Sequence, residues 1–361
     1  MRKEGHLEVF DLILETTGAV FIGCGKSYTK KEYLFDPKRN MVSFLDEQKF
    51  FTYLAEHHLA DAYEGFILEN MSRNLLEFLR NVCNLPQATI NSLVRCSIYA
   101  GDALDERHTL KEIQRFIRDG NGQVYVPGSS IKGAVRTVLL KAILLKNPPK
   151  NPDPTLPFQK YDTFEQEYFH TLSLKTDGNG CVQVHNPLNS IMQGVRISDS
   201  QPIPDSKLCL AQKIDEFADE TYNKINICRE CIKPGTKIHC TITLDQSILH
   251  HSITKESILE AIALVSAHYQ KTVLRHYPHI PNFMTSRTIL LGGGVGFQSK
   301  TVVDPYHGKQ ALKVTADILD KNFRNHHHLR DVAEGLSPRA LKQTDFNQTA
   351  YPYGTCEVFI R

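Results

Sequence analysis

The sequence predicts an α+β fold, and three observations carry that reading. Residues 6–23 (HLEVFDLILETTGAVFIG) set β-branched and aromatic residues in the partial alternation of a strand. Ile131, Ala134, Val135, Val138, Leu139, Ala142 and Leu145 recur at the i, i+3, i+4, i+7 spacing of one helical face. Ile258, Ile262, Val265, Tyr269 and Thr272/Val273 repeat that helical pattern later in the chain. With 361 residues, 41% of them hydrophobic and 23% charged, the chain has room for roughly two domains of ~150 residues. Collagen-like, low-complexity and disordered classes are excluded by the same composition.

In order along the chain, the first strand feeds the turn cluster Gly23-Cys24-Gly25-Lys26-Ser27, read as a loop. Tyr33-Leu34-Phe35 and Met41-Val42-Ser43-Phe44 flank the turn-forming Asp36-Pro37-Lys38-Arg39-Asn40, which predicts a hairpin. Asp46 can cap a helix reaching about His57, and a helical stretch follows through Leu93 with Pro86 as a first-turn proline. A short strand over 123–126 ends at Pro127-Gly128-Ser129-Ser130, where the first long helix starts, and Asn147-Pro148-Pro149 stops it. Five prolines (Pro148, Pro149, Pro152, Pro154, Pro157) between Asn147 and Phe158 suit an exposed connection. They divide the chain into residues 1–146, a connection or insertion over 147–190, and residues 191–361. The last part offers strands over 194–197 and 237–244, a helix over about 255–276, and a strand over 288–291 entering Gly292-Gly293-Gly294-Val295-Gly296-Phe297. Each half sets a glycine-rich turn beside a strand and a long helix, without a residue-by-residue repeat.

Forty-two Lys and Arg face 40 Asp and Glu, a formal charge of +2, so any polyanion site must be local. Residues 121–150 hold Lys132, Arg136, Lys141, Lys146 and Lys150 and no carboxylate. A helix opening at Ser129 or Ser130 presents unpaired N–H groups and the positive end of its dipole, and Gly128 and Gly133 allow close approach to the main chain. Lys132 and Arg136, one turn apart, could reach one phosphodiester. The other reading is a capped core helix with solvated lysines. Residues 271–313 hold Lys271, Arg275, Arg287, Lys300, Lys309 and Lys313 against Asp304 alone. There Gly292, Gly293, Gly294 and Gly296 form a chain able to lie flat under a ligand, with Phe297 available to stack on a base; a tight turn with Phe297 in the core is the alternative.

Mononucleotide motifs fail on single residues. A Walker loop ending in Gly25-Lys26-Ser27 needs glycine at position 20, where Val20 stands, and a Rossmann fingerprint needs glycine at 297 or 299, where Phe297 and Ser299 stand. Nine cysteines, an odd number without a dense framework, suggest a reduced interior. The absence of an apolar run of ~18 residues adds the expectation of a soluble, cytoplasmic protein with no membrane partner. Cys228-x-x-Cys231 with His239 and Cys240 could supply four zinc ligands, or be unremarkable thiols flanking a strand. His57-His58, His250-His251 and His326-His327-His328 read as surface histidines.

The segment Tyr125-Val126-Pro127-Gly128-Ser129-Ser130-Ile131-Lys132-Gly133-Ala134-Val135-Arg136 resembles the signature of the RAMP superfamily of CRISPR effector proteins, in which PGSS, a hydrophobic residue, KG and an arginine follow a strand. Gly23-Cys24-Gly25 resembles that family's early glycine loop, and residues 291–301 (LGGGVGFQSKT) its C-terminal one, so the motifs bracket nearly the whole chain. Within the superfamily, Arg196-Ile197-Ser198-Asp199-Ser200, residues 229–236 (RECIKPGT) and residues 337–342 (SPRALK) look most like the subunit-five family of type III-A Csm complexes.

The resemblance implies an RRM-like, ferredoxin-type core or tandem cores with helical insertions and glycine-rich loops. It also implies a subunit without catalytic residues or cofactor that holds the 3′ part of a CRISPR RNA, supporting its maturation and antiviral defence. Its expected partners are the CRISPR RNA, the RAMP backbone subunit and the small subunit, with target RNA met indirectly. RNA-binding residues carried over are Gly23, Gly25, Lys26, Gly128, Ser129, Ser130, Lys132, Gly133, Arg136, Gly292, Gly293, Gly294, Gly296, Phe297 and Lys300. The family's RNA-cutting subunit is expected to carry an aspartate in the loop after its first strand; here Lys26-Ser27-Tyr28-Thr29 holds no carboxylate before Glu32. A metal-independent repeat-processing endonuclease with an unplaced general-acid/base histidine is the alternative.

Overall fold

A computed structural model describes residues 2–69, 73–100, 103–104, 110, 112–156 and 160–361 of the chain. Pro157, within the expected proline-rich connection, lies outside the described residues.

Strand Leu7–Thr16 buries Phe10, Leu12 and Leu14 at alternate positions, the two-residue period that a sheet face demands. It occupies the middle of the first sheet, antiparallel to Lys237–Asp245 on one side and to the C-terminal Thr355–Ile360 on the other. Val195–Ile197 and Thr288–Leu290 form the two edges, and Arg2–Glu4 also pairs with the start of the central strand. The two long helices, Gly128–Lys146 and Lys255–Thr272, pack on each other, the first also on both edge strands and the second on Thr288–Leu290. Along the chain this sheet therefore runs strand, helix, strand, strand, helix, strand, with Thr288–Leu290 added at the edge beside the C-terminal strand.

The second sheet has the order Thr349–Pro352, Ala340–Phe346, Leu208–Phe217, Tyr222–Ile232, Ile113–Phe116, Gly23–Tyr28, with one parallel pair between Tyr222–Ile232 and Ile113–Phe116. One hydrophobic core joins both sheets and both long helices. A third, three-stranded sheet (Tyr33–Asp36, Met41–Leu45, Val94–Tyr99) belongs with helices Glu47–Glu56, Ala60–Leu68, Leu75–Asn81 and Gln87–Ser92. Those helices and strands share a separate core around Leu34, Phe50, Leu54, Phe66, Phe78 and Ile90, in which the Phe66 and Phe78 rings stack at 4.4 Å.

The mixed α+β class, the 33–44 hairpin, the Asp46 cap on Lys49 N and the two long helices agree with expectation. Other elements differ. Gly23 to Tyr28 is an edge strand with a bulge rather than a loop, because Ile113–Phe116 offers it a pairing partner far along the chain. Residues 123–126 form only isolated bridges through Val124, to Arg118 and Ile203. Pro86 precedes its helix as the capping residue, and the helical stretch to Leu93 is three short helices. Residues 1–146 and 191–361 contribute interleaved strands to both six-stranded sheets, and 147–190 contains the helix Tyr161–Phe169.

Candidate nucleic-acid interface

Pro127, with φ −61° and ψ 133°, turns the chain into the helix Gly128–Lys146. The segment before it is held by residues 196–200: Ser200 N donates to Val126 O at 2.9 Å, and Val126 N donates to Ser200 Oγ at 2.9 Å. Gly128 N donates to Asp199 Oδ1 at 2.7 Å, so a carboxylate sits at the positive end of the helix. A Cβ on Gly128 would lie 2.1 Å from Ile197 O, which is why this position has no side chain. The two motifs singled out separately in the sequence are thus one structural unit, and two of the helix-terminal donors expected to be open are occupied by the chain itself, since Ser130 N also donates, to Pro127 O at 3.0 Å.

One and two turns into the helix, Lys132 and Arg136 are both half-buried. Arg136 Nη1 donates to Glu165 Oε1 at 2.9 Å, whereas Lys132 has no hydrogen bond or ion pair among the described residues. Burial, then the neighbouring guanidiniums of Arg136 and Arg196, hold the Lys132 ammonium below its ordinary pKa. A further turn on, Lys141 is buried and donates from Nζ to Gln298 O at 2.6 Å and Ser299 O at 3.1 Å. Those carbonyls lie at the end of the short helix Phe297–Lys300, so one buried ammonium ties the first long helix to the C-terminal glycine loop. Burial lowers its pKa to about 8, the Asp304 carboxylate opposing the shift.

In that loop Gly292, Gly294 and Gly296 have φ of +85°, +87° and +87°. Gly293 N donates to Phe21 O at 2.7 Å, and a Cβ on Gly292 would lie 2.2 Å from the same oxygen, so the loop rests directly on the chain leading to Gly23. Arg229 lies under it: Nε donates to Gln114 Oε1 at 2.8 Å and the guanidinium stacks over the rings of Phe21 (5.0 Å) and Tyr353 (5.5 Å). The tail joins from the other side, with Gln298 Nε2 donating to Ser337 O at 2.7 Å.

The three glycine-bearing segments meet at one cleft of about 430 Å³. Gly23 comes from the first; Ser130, Gly133 and Arg136 from the long helix; Gly292, Gly293 and Lys300 from the last. Seven of the fifteen expected RNA-binding residues therefore share a wall. The others do not line it. Gly25 and Lys26 are exposed on the edge strand, and Lys26 lines a neighbouring cleft of about 630 Å³ with Arg95, Arg115 and Arg118. Gly128 is buried, Ser129 is exposed at the helix start, and Lys132 is half-buried. Gly294 faces Arg229 and Tyr353, Gly296 faces Lys342, and Phe297 packs against the main core.

The four zinc candidates are not assembled. Cys228 and Cys231 are buried in the second sheet, while His239 and Cys240 lie in the first with His239 exposed and Cys240 buried. Burial pushes the Cys228 thiol up to about 12. No group of three or more metal-binding side chains occurs among the described residues. No described helix is long and apolar enough to cross a membrane. The sequence places Lys141 among the local positive charges of residues 121–150 and gives Arg229 no role in the site. A signal for Lys141 was present: it falls three residues after Val138 and seven after Ala134, on the apolar stripe.

The RAMP superfamily family model matches residues 13–324. The chain is similar to proteins described as "CRISPR system Cms protein Csm5": 29% identical to that of Mycobacterium tuberculosis, over 99% of this chain and 98% of the relative, and 27% identical to that of Enterococcus italicus, over 97% and 96%. Its fold resembles a chain in the cryo-EM structure of a Csm-crRNA-target RNA ternary complex of a type III-A CRISPR-Cas system, with a TM-score of 0.61, 16% identity and coverage of 97% of this chain and 100% of that one. The crystal structure of T. onnurineus Csm5 gives a TM-score of 0.60 at 14% identity, over 96% and 99%. Matched over most of its length and carrying all three glycine segments at one cleft, the chain belongs to the RAMP superfamily.

Proposed function

We propose that the protein is a non-catalytic, CRISPR RNA-binding subunit of a type III-A Csm interference complex, and that it caps the 3′ part of the guide beside the RAMP backbone subunit and the small subunit. The observation carrying this reading is the convergence of the three glycine segments on one cleft walled by Arg136 and Lys300. Glycines that allow close approach and cations suit a phosphate track and lack the base-reading groups of a sequence-specific site. Near full-length similarity to relatives named for this subunit supports the assembly, with target RNA met through the guide. The strand, helix, strand, strand, helix, strand connectivity of the first sheet supports an RRM-like, ferredoxin-type core. In that core, residues 147–190 act as an insertion between segments 1–146 and 191–361. A role without chemistry is supported by the segment Lys26 to Thr29, which has no carboxylate, and by Glu32, whose Oε2 accepts from Thr29 N at 2.8 Å and Oγ1 at 2.9 Å. A cytoplasmic location follows from the same reading.

The test is the salt dependence of binding to labelled CRISPR RNA. Changing Lys132 and Arg136 together to Ala should lower the slope of log affinity against log salt by about one to two units, as expected for two lost phosphate contacts. An unchanged slope in a folded variant removes this helix from the site. Incubation with CRISPR repeat RNA in EDTA should leave the RNA intact; defined products would replace this reading with that of a metal-independent endonuclease.

A further inference from the structure

Arg136, a residue of the proposed phosphate track, is already engaged by a carboxylate, that of Glu165. Arg136 lines the cleft and keeps 43% of its side-chain surface exposed, and Glu165 keeps 28%. The carboxylate is delivered by a separate element, the helix Tyr161–Phe169 within the 147–190 segment, anchored by buried Phe164 and Phe169. The Phe164 ring packs on Tyr306 at 4.4 Å, so Glu165 stands on a fixed support. Lys132, one turn earlier on the same helix, has no such partner among the described residues. A carboxylate oxygen 2.9 Å from a guanidinium nitrogen takes the place that a phosphate oxygen would take.

We infer that Glu165 is an internal competitor for phosphate: in the free protein it holds Arg136, and RNA gains that contact only by displacing the carboxylate. This rests on the proposal that Arg136 binds RNA. Lys132 then makes the first contact with any polyanion, and Arg136 adds its contact only for a strand positioned deeply enough to reach it. Glu165 thereby weakens capture of stray RNA without occupying the rest of the track.

The experiment is a double-mutant cycle on the full chain, read by titration of a fluorescein-labelled polyuridine and of a CRISPR RNA 3′ fragment of equal length at low salt. Glu165→Gln, which keeps size and helix propensity, should tighten binding about two- to five-fold, the range a partly exposed ion pair can withhold. That gain should vanish in an Arg136→Ala background, and Glu167→Gln, on the same helix with its side chain exposed, should leave affinity nearly unchanged. If Arg136→Ala weakens binding while Glu165→Gln does nothing, or tightens it equally in both backgrounds, Glu165 is no competitor and the RNA site stands. If Arg136→Ala itself has no effect, the RNA site at this arginine falls and the competitor role falls with it.

Discussion

Replacing Gly292 by Ala tests how the C-terminal glycine loop is fitted to the Phe21 segment below it. Two separate costs apply. The φ of +85° places a Cβ against its own carbonyl, worth about 1–2 kcal/mol. The same Cβ would lie 2.2 Å from Phe21 O, so the loop and the Phe21 segment must part by more than about 1 Å to reach ordinary contact. That movement strains the 2.7 Å hydrogen bond from Gly293 N to Phe21 O, and leaving those buried groups unpaired costs about 1–3 kcal/mol more. The expected loss is about 2–5 kcal/mol. Gly296→Ala supplies the comparison: φ is +87°, but the new Cβ meets only Lys342 Cγ at 3.7 Å, so the backbone strain of about 1–2 kcal/mol acts alone. Urea unfolding of the two variants should separate them by about 1–3 kcal/mol, and Gly292→Ala should also weaken RNA binding about five-fold or more because it moves one wall of the cleft. Equal midpoints for both variants, or wild-type RNA affinity in Gly292→Ala, would refute the packing of this loop on Phe21 as the basis of the site.

Lys141→Met should change the pH dependence of stability. With the native ammonium lowered from 10.5 to about 8, the unfolded chain binds the extra proton between those values, so wild-type stability gains on the variant by about 2–3 kcal/mol as pH rises from about 8 to 10.5; parallel stability curves would contradict the burial of this charge. Because the Lys132 pKa lies below its ordinary value, RNA affinity should decline with rising pH earlier than an unshifted lysine allows, and Lys132→Arg should flatten that decline; titrations across the alkaline range with both proteins check it. Asp199→Ala removes the carboxylate bonded to Gly128 N and should destabilise the protein by about 0.5–2 kcal/mol in urea unfolding, with no change expected if the helix start is capped by solvent instead.

Local patterns in the sequence locate elements whose burial follows a simple period. Both long helices were legible because each has one apolar face, and the 33–44 hairpin because a proline and asparagine turn sits between two apolar runs. The strands Leu208–Phe217 and Tyr222–Ile232 were not. They lie inside the second sheet with charged residues such as Glu230 buried: Glu230 Oε2 accepts from Phe116 N at 3.0 Å, and its other oxygen pairs with Arg118. A charge that is paired inside the fold looks in the sequence like a solvated one, and a lysine that counts as a local positive charge in the sequence, Lys141, is buried on two carbonyls. Pairing of residues 7–16 with both 237–245 and 355–360 depends on partners more than 200 positions away, which no window of sequence contains. For the site, motif composition named the glycines and cations that meet at the cleft. It could not show that Asp199 and Glu165, both remote in sequence, already engage the helix start and Arg136.

If RNA runs along the cleft where the three glycine segments meet, ultraviolet cross-linking of the assembled complex to its CRISPR RNA, followed by peptide mass spectrometry, will trap it there. Cross-linked peptides should map to the neighbourhood of Gly23, to Ser129 through Arg136 and to Gly292 through Lys300, with the attached nucleotides in the 3′ part of the guide. Cross-links confined to other surfaces, such as the helices around Phe50 and Phe78, with none at these three segments, would show that the RNA does not run through this cleft.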